Sequence, residues 1–243
     1  MTQTGRGDWY LTETDGARLA RCGLLDDSRG FGHGFSSRDG GGAENPDVFL
    51  AAAGLAGRPV CMARQVHGAR LISPGAVSEL PEADGILIGN NPEGPAAGIR
   101  TADCVPVLLA DPVSGQGAVV HSGWKGTAAG IAPLAVGVLA GRGVIPSDLR
   151  AALGPAIGGC CYQVGSEVVG AVGGAGVEPR GGGFRLDLRQ AIRMQLEAAG
   201  VDPRRISIAP WCTCCEKGLF FSWRREGAGA GRMISVLAAT GPP

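Results

Sequence analysis

The chain's 43 glycines and 16 prolines fall between short apolar runs with no fixed period. Such spacing favours many tight turns over a low-complexity or fibrous architecture. Hydrophobic residues make up 44% of the chain and aromatic ones only 5%, so the core is expected to be built mainly from Ala, Val, Leu and Ile. A chain of 243 residues buries roughly 70% or more of its unfolded surface. One large domain spanning residues 1–243 is the expected organisation.

Lysine plus arginine and aspartate plus glutamate are equal at 22 each. The overall field therefore gives no reason to expect nucleic acid or an anionic membrane as partner. The uncharged stretch at residues 126–141, as long as any in the chain, is too short for a membrane span and is interrupted by Pro133. Asp8, Glu13 and Asp15 occupy the region where a signal peptide would carry an apolar run. Eight cysteines in such a chain point to a reducing compartment, with the cytoplasm as the default.

Residues 1–30 read as an edge strand or arm, and residues 29–42 as a glycine-rich loop carrying His33 and Arg38. GRPVCMARQVHGARLI reads as a strand ending near His67, and ADGILIG as a shorter one. VPVLLA and GAVVHS flank the turn-rich residues 111–115 and read as a hairpin. If Ala110 pairs with Gly115, Cys104 falls directly opposite His121, with Cβ atoms about 4.5–5.5 Å apart. A slip of one residue would send the two to opposite faces. A helix is expected from about Thr127, with Pro133 near its first turns. A second has an N-cap at Asp187, Gln190 three residues on, apolar Leu188, Ile192 and Leu196 on one face, and Gly200 at its end. ISIAPWCTCCEKGLFFSWRREG is expected to supply strands, with Arg224 and Arg225 pointing to opposite faces.

The chain has only three histidines, and two of them, His67 and His121, accompany Cys104 in glycine-flanked segments. One sulfur and two imidazoles are the ligand set of a single open zinc or copper centre. Three protein ligands leave a position for water or substrate, and such a metal lowers the pKa of bound water toward about 7. Arg38, Lys125 and Arg225 are candidate cations for a phosphate, since guanidinium forks match its oxygens. Asp103 is the candidate acid or base, although a regular pleat would turn it away from Cys104 and give it a structural hydrogen-bonding role. His33 reads as a loop histidine near the mouth. The adjacent cysteine pairs lack the two-residue spacing of paired zinc ligands, and Cys160, Cys161, Cys212, Cys214 and Cys215 are read as buried thiols.

Three histidines are too few for a trinuclear copper cluster with a blue-copper centre. A single His2Cys copper remains open and would be intensely coloured. So does a cysteine hydrolase with Cys104 as nucleophile and His121 as its base.

QVHG, ADGILI, TADCVPVLLADP, VVHSGWKGT, LGPAIGGCCYQVG, FFSWRRE and GRM follow in an order and spacing that resembles the bacterial laccase-domain proteins. These are also called the YfiH, polyphenol oxidase or purine nucleoside phosphorylase family. The likeness runs from about Phe31 to Val236. It implies an α+β fold, a single-domain four-layer α-β-β-α sandwich, with a metal at His67, Cys104 and His121. It further implies phosphorolysis of adenosine, inosine, guanosine and methylthioadenosine, with adenosine deamination as a second activity. Amidase-like editing of cell-wall nucleotide precursors is the alternative within the same resemblance. The chain departs from the family in a short loop after Arg38, in Ser122 and Lys125 where alanine and arginine are commoner, and in Trp223 where tyrosine is.

Overall fold

The structure is a computed structural model that describes residues 4–14, 16–28, 30–40, 46–75 and 80–241. The sequence VPVLLA forms the strand Val105–Ala110, which is buried along its whole length. Alternate side chains therefore serve two different interiors, which is why the run is apolar throughout. Val107 and Leu109 pack with Ile131, Val136, Ile192 and Leu196 of two helices, Ile131–Ala140 and Leu188–Ala198. Leu108 and Ala110 turn the other way, onto Phe35, Ile99 and Leu237.

That second interior lies between two sheets. One orders its six strands as Ile206–Ile208, Arg150–Leu153, Val105–Ala110, Gly117–Ser122, Gly85–Ile88 and Leu71–Ile72. The other orders seven as Thr4–Arg6, Trp9–Thr14, Ala17–Cys22, Phe31–Ser36, Met233–Ala239, Ala96–Thr101 and Val60–Cys61. The outer face of the seven-stranded sheet presents Leu19, Val236 and Ala238 to Phe49 and Leu50 of the helix Pro46–Ala52. The layers thus run α-β-β-α, as the resemblance implies. Among the described residues, no helix is long and apolar enough to cross a membrane.

Several local expectations are corrected. Residues 4–22 form three antiparallel strands rather than one arm. Phe31–Ser36 is a buried strand, not a glycine-rich loop; Arg29, Gly41 and Gly42 lie outside the described residues. Its glycines serve close packing instead of turning, since a Cβ on Gly34 would lie 2.9 Å from Leu19 and one on Gly32 would lie 2.6 Å from Leu55. His33 is consequently a core residue with no exposed surface. The strand expected to end near His67 is only Val60–Cys61, and the next one, Leu71–Ile72, belongs to the other sheet. Between them the chain crosses from one sheet to the other, and His67 sits in that crossover with φ of 61°.

The helix expected from Thr127 is two, Trp124–Ala128 and Ile131–Ala140, joined at Gly130 with φ of 71°. The Asp187 cap is present, its carboxylate accepting from Arg189 N at 3.0 Å rather than from Gln190. After Ile206–Ile208 the expected strands give way to turns and one helical turn, Trp223–Glu226, so Arg224 and Arg225 do not straddle a strand.

Candidate metal centre

The hairpin that carries His121 pairs Ala110 with Gly117, His121 with Pro106 and Ser122 with Val105. The expected register is therefore wrong by two residues. Asp111 causes this: its carboxylate accepts from Val113 N and Ser114 N, both at 3.1 Å, and folds a six-residue loop in place of four. Side chains alternate with a period of two, so an even error keeps the face. Cys104, one residue before its strand, extrapolates to a place opposite Gly123, where an added Cβ would lie 2.9 Å from the Cys104 Sγ and 3.2 Å from the His67 ring. Only a glycine leaves that space open.

Donor atoms of His67, Cys104 and His121 all lie within 4.8 Å of one another. The two imidazoles meet edge to face, with centroids 4.8 Å apart at 77°. His67 is exposed, Cys104 half-buried and His121 buried, so the trio opens to solvent on the His67 side.

Asp84 organises this group, although the sequence pattern does not single it out. It is fully buried at the start of the strand Gly85–Ile88. One carboxylate oxygen accepts from His121 Nδ1 at 2.8 Å and from His67 N at 2.9 Å; the other accepts from Gly68 N at 2.7 Å and Val66 N at 3.2 Å. The contact to Nδ1 leaves Nε2 of His121 as its ligand atom. The backbone contacts hold the His67 turn in its left-handed conformation. An acidic side chain beside an otherwise apolar strand is the one signal of this role in ADGILIG.

Burial works against charge on Cys104, but hydrogen bonds with His121 and His67 outweigh it and bring the thiol down to about 7. Burial likewise opposes charge on His121, and the bonds to Asp84 and Cys104 outweigh it and hold the imidazole at about 9. Asp84 stays below the usual carboxylate range despite its burial, because His121 and the Gly68 amide bond to it. Both shifts favour a thiolate beside an imidazolium. A soft thiolate and two imidazoles within one ion's reach suit zinc or copper.

Asp103 precedes Cys104 with φ of 89°. Its carboxylate accepts from Thr213 Oγ1 at 2.6 Å, Arg224 N at 2.6 Å and Ser222 Oγ at 3.1 Å. Those contacts tie the Cys104 segment to the 213–224 loop. Arg225 donates to Thr213 O at 2.7 Å, Cys214 O at 2.9 Å and Phe220 O at 2.6 Å. Arg38 lies over the Phe221 ring at 4.7 Å, donates to Lys217 O and pairs with Glu226 at 3.5 Å. Two of the three expected phosphate ligands are therefore held by contacts within the protein, Arg225 through three main-chain carbonyls and Arg38 through Nη1, with its side chain 30% exposed. Lys125 is exposed, in the helix that begins just after Gly123.

Cys160, Cys161, Cys212 and Cys215 also converge, and the expectation that these are buried thiols is corrected for Cys160 and Cys215, which are exposed. Cys212 and Cys215 do have the two-residue spacing of paired ligands; Cys214 between them obscures it.

A purine nucleoside phosphorylase of Geobacillus stearothermophilus, YlmD, is 38% identical over 167 residues, 65% of this chain and 60% of its own length. A purine nucleoside phosphorylase of Streptomyces coelicolor is 40% identical over 199 residues, 77% of this chain and 79% of its own. The adenosine deaminase RL5, of an unknown prokaryotic organism, is 39% identical over 153 residues, 60% of this chain and 58% of its own. The crystal structure of YlmD superposes with a TM-score of 0.85 and 27% identity, over 95% of this chain and 99% of that one. The family model described as multi-copper polyphenol oxidoreductase laccase matches residues 31–240, and the chain belongs to that family, the laccase-domain proteins of YfiH type.

Proposed function

We propose that this chain is a metal-dependent purine nucleoside enzyme, one folded unit of 243 residues working in the cytoplasm. It cleaves adenosine, inosine, guanosine and methylthioadenosine with phosphate and deaminates adenosine as a second activity. The observation that carries the reading is the open trio His67, Cys104 and His121, in a chain whose similar proteins include phosphorylases and a deaminase. Zinc is the proposed metal. When bound it supplies a Lewis acid and activates water near neutral pH.

The protein's own residues do the rest. Asp84 orients His121 and keeps its Nδ1 protonated, while Gly123 leaves the face of Cys104 uncovered. In this reading Asp103 is a positioning residue. Lys125 is the cation best placed to receive phosphate, because Arg38 and Arg225 are engaged elsewhere.

Purified protein incubated with adenosine, with and without phosphate, tests the proposal. Adenine appearing only with phosphate is the expected result, with inosine as the minor product. Turnover of neither kind by the zinc-loaded protein would sink it. The relay from Asp84 through His121 to a Cys104 thiol near 7 also favours the second reading, a cysteine hydrolase. Activity that survives chelation but is lost on alkylation of the metal-free protein selects that alternative.

A further inference from the structure

A second group of soft ligands lies outside the centre described above. Cys160 and Cys161 come from the turn after the strand Arg150–Leu153, and Cys212 and Cys215 from the loop after Ile206–Ile208. All four sulfurs lie within 4.8 Å of one another, with Cys161 to Cys215 at 3.4 Å and Cys160 to Cys215 at 3.7 Å. Four sulfurs at about 2.3 Å from one ion stand about 3.8 Å apart at the corners of a tetrahedron. Thiols drawn together by packing alone would be expected in the core, yet Cys160 and Cys215 are exposed and only Cys212 is buried.

The backbone around the cluster is arranged for ligation. Cys215 N donates to Cys212 O at 3.1 Å, closing a tight turn that presents both sulfurs of the two-residue spacing to one side. Gly158 N donates to the Cys212 sulfur at 3.2 Å, the kind of bond that stabilises a ligating thiolate. A Cβ on Gly158 would intrude to 3.2 Å from the Cys160 sulfur and 3.4 Å from the Cys212 Cβ.

We propose that Cys160, Cys161, Cys212 and Cys215 form a second, structural zinc site. A closed set of four thiolates leaves no position for substrate, which separates it in kind from the open trio. Its place in the fold gives it a task. The two loops it joins are those that grip Asp103: Ile157 N donates to the Asp103 carbonyl at 2.9 Å, while Thr213, Ser222 and Arg224 N bind the carboxylate. An ion here staples those loops and fixes the backbone next to Cys104.

Metal content of protein purified under reducing conditions tests this independently of any activity. Two zinc ions per native chain are expected, with one retained in Cys104→Ala and one in Cys161→Ser. If Cys161→Ser fails to fold, the Cys104→Ala protein still carries the intact cluster. Its zinc replaced by cobalt should give the intense absorption of thiolate-to-cobalt charge transfer, and its denatured, chelated form should titrate seven thiols, eight less one. A native chain holding one zinc that Cys104→Ala abolishes would overturn the second site and leave the first. One zinc that Cys104→Ala retains would support the second site and overturn the first. Five thiols and no metal in Cys104→Ala would replace the proposal with a disulfide.

Discussion

Scarcity makes three residues of this protein legible from sequence: with three histidines in the chain, two of them near a cysteine motif are hard to assign elsewhere. Asp84 is hidden for the opposite reason, being one of 22 acidic residues, with a role that exists only once His67 and His121 are brought onto it. That role predicts the outcome of Asp84→Asn. The amide keeps the volume but loses the charge that holds His121 protonated at Nδ1 and aimed through Nε2. Zinc affinity should fall about 10- to 100-fold, read by competition with a chromophoric chelator. An unchanged affinity would mean that packing alone orients His121. Lys125→Ala should raise the phosphate KM several-fold while the melting temperature stays put, since the ammonium makes no hydrogen bond among the described residues. A phosphate KM equal to that of the native protein would remove Lys125 from the phosphate site.

At the scale of elements, faces are easier to read from residue patterns than registers are. The Asp111 side chain lengthens the hairpin loop by two residues, a local hydrogen-bonding choice that apolar patterning does not encode. Cys104 and His121 still converge because two is even. The Leu188–Ala198 helix is readable from its cap, its period and the glycine that ends it, whereas the buried Phe31–Ser36 strand reads as a loop because glycines serving close packing look like glycines serving turns. Arg225 shows how an element's shape reassigns a residue. In an extended segment it offers a free guanidinium; in the helical turn Trp223–Glu226 it is bent back onto three main-chain carbonyls of residues 213–220. Arg225→Ala should therefore act on stability, by about 2–4 kcal/mol for several charge-assisted bonds to half-buried carbonyls. Urea denaturation and the phosphate KM, measured together, separate the possibilities. Unaltered stability with a raised KM would restore Arg225 to the phosphate site.

Across the whole molecule, two sheets closed on each other shield the groups between and beside them from bulk solvent, and His33, with no exposed surface, is the clearest instance. Its Nε2 accepts from Cys22 N at 3.1 Å, joining neighbouring parts of the seven-stranded sheet, while its Nδ1 has no hydrogen-bond partner among the described residues and lies 3.9 Å from Asp26. Burial, reinforced by the nearby Arg21, lowers the imidazole to about 3, against the weaker opposing pull of Asp26. The unfolded chain takes up a proton near pH 6.5, and the folded one resists until far lower. The stability that neutral His33 permits is complete above about pH 6.5 and is lost as pH falls toward 3, a loss on the order of a few kcal/mol. Asp84, its carboxylate held below the usual range, adds its own loss only at the acid end of that window. Urea midpoints between pH 7 and 4 should therefore fall steeply in Cys104→Ala protein, where metal release at the open centre is taken out of the comparison. Adding His33→Gln, whose amide oxygen can still accept from Cys22 N, should flatten that slope and lower the plateau near pH 7. Parallel slopes in the two proteins would remove the core histidine as the source of the acid sensitivity.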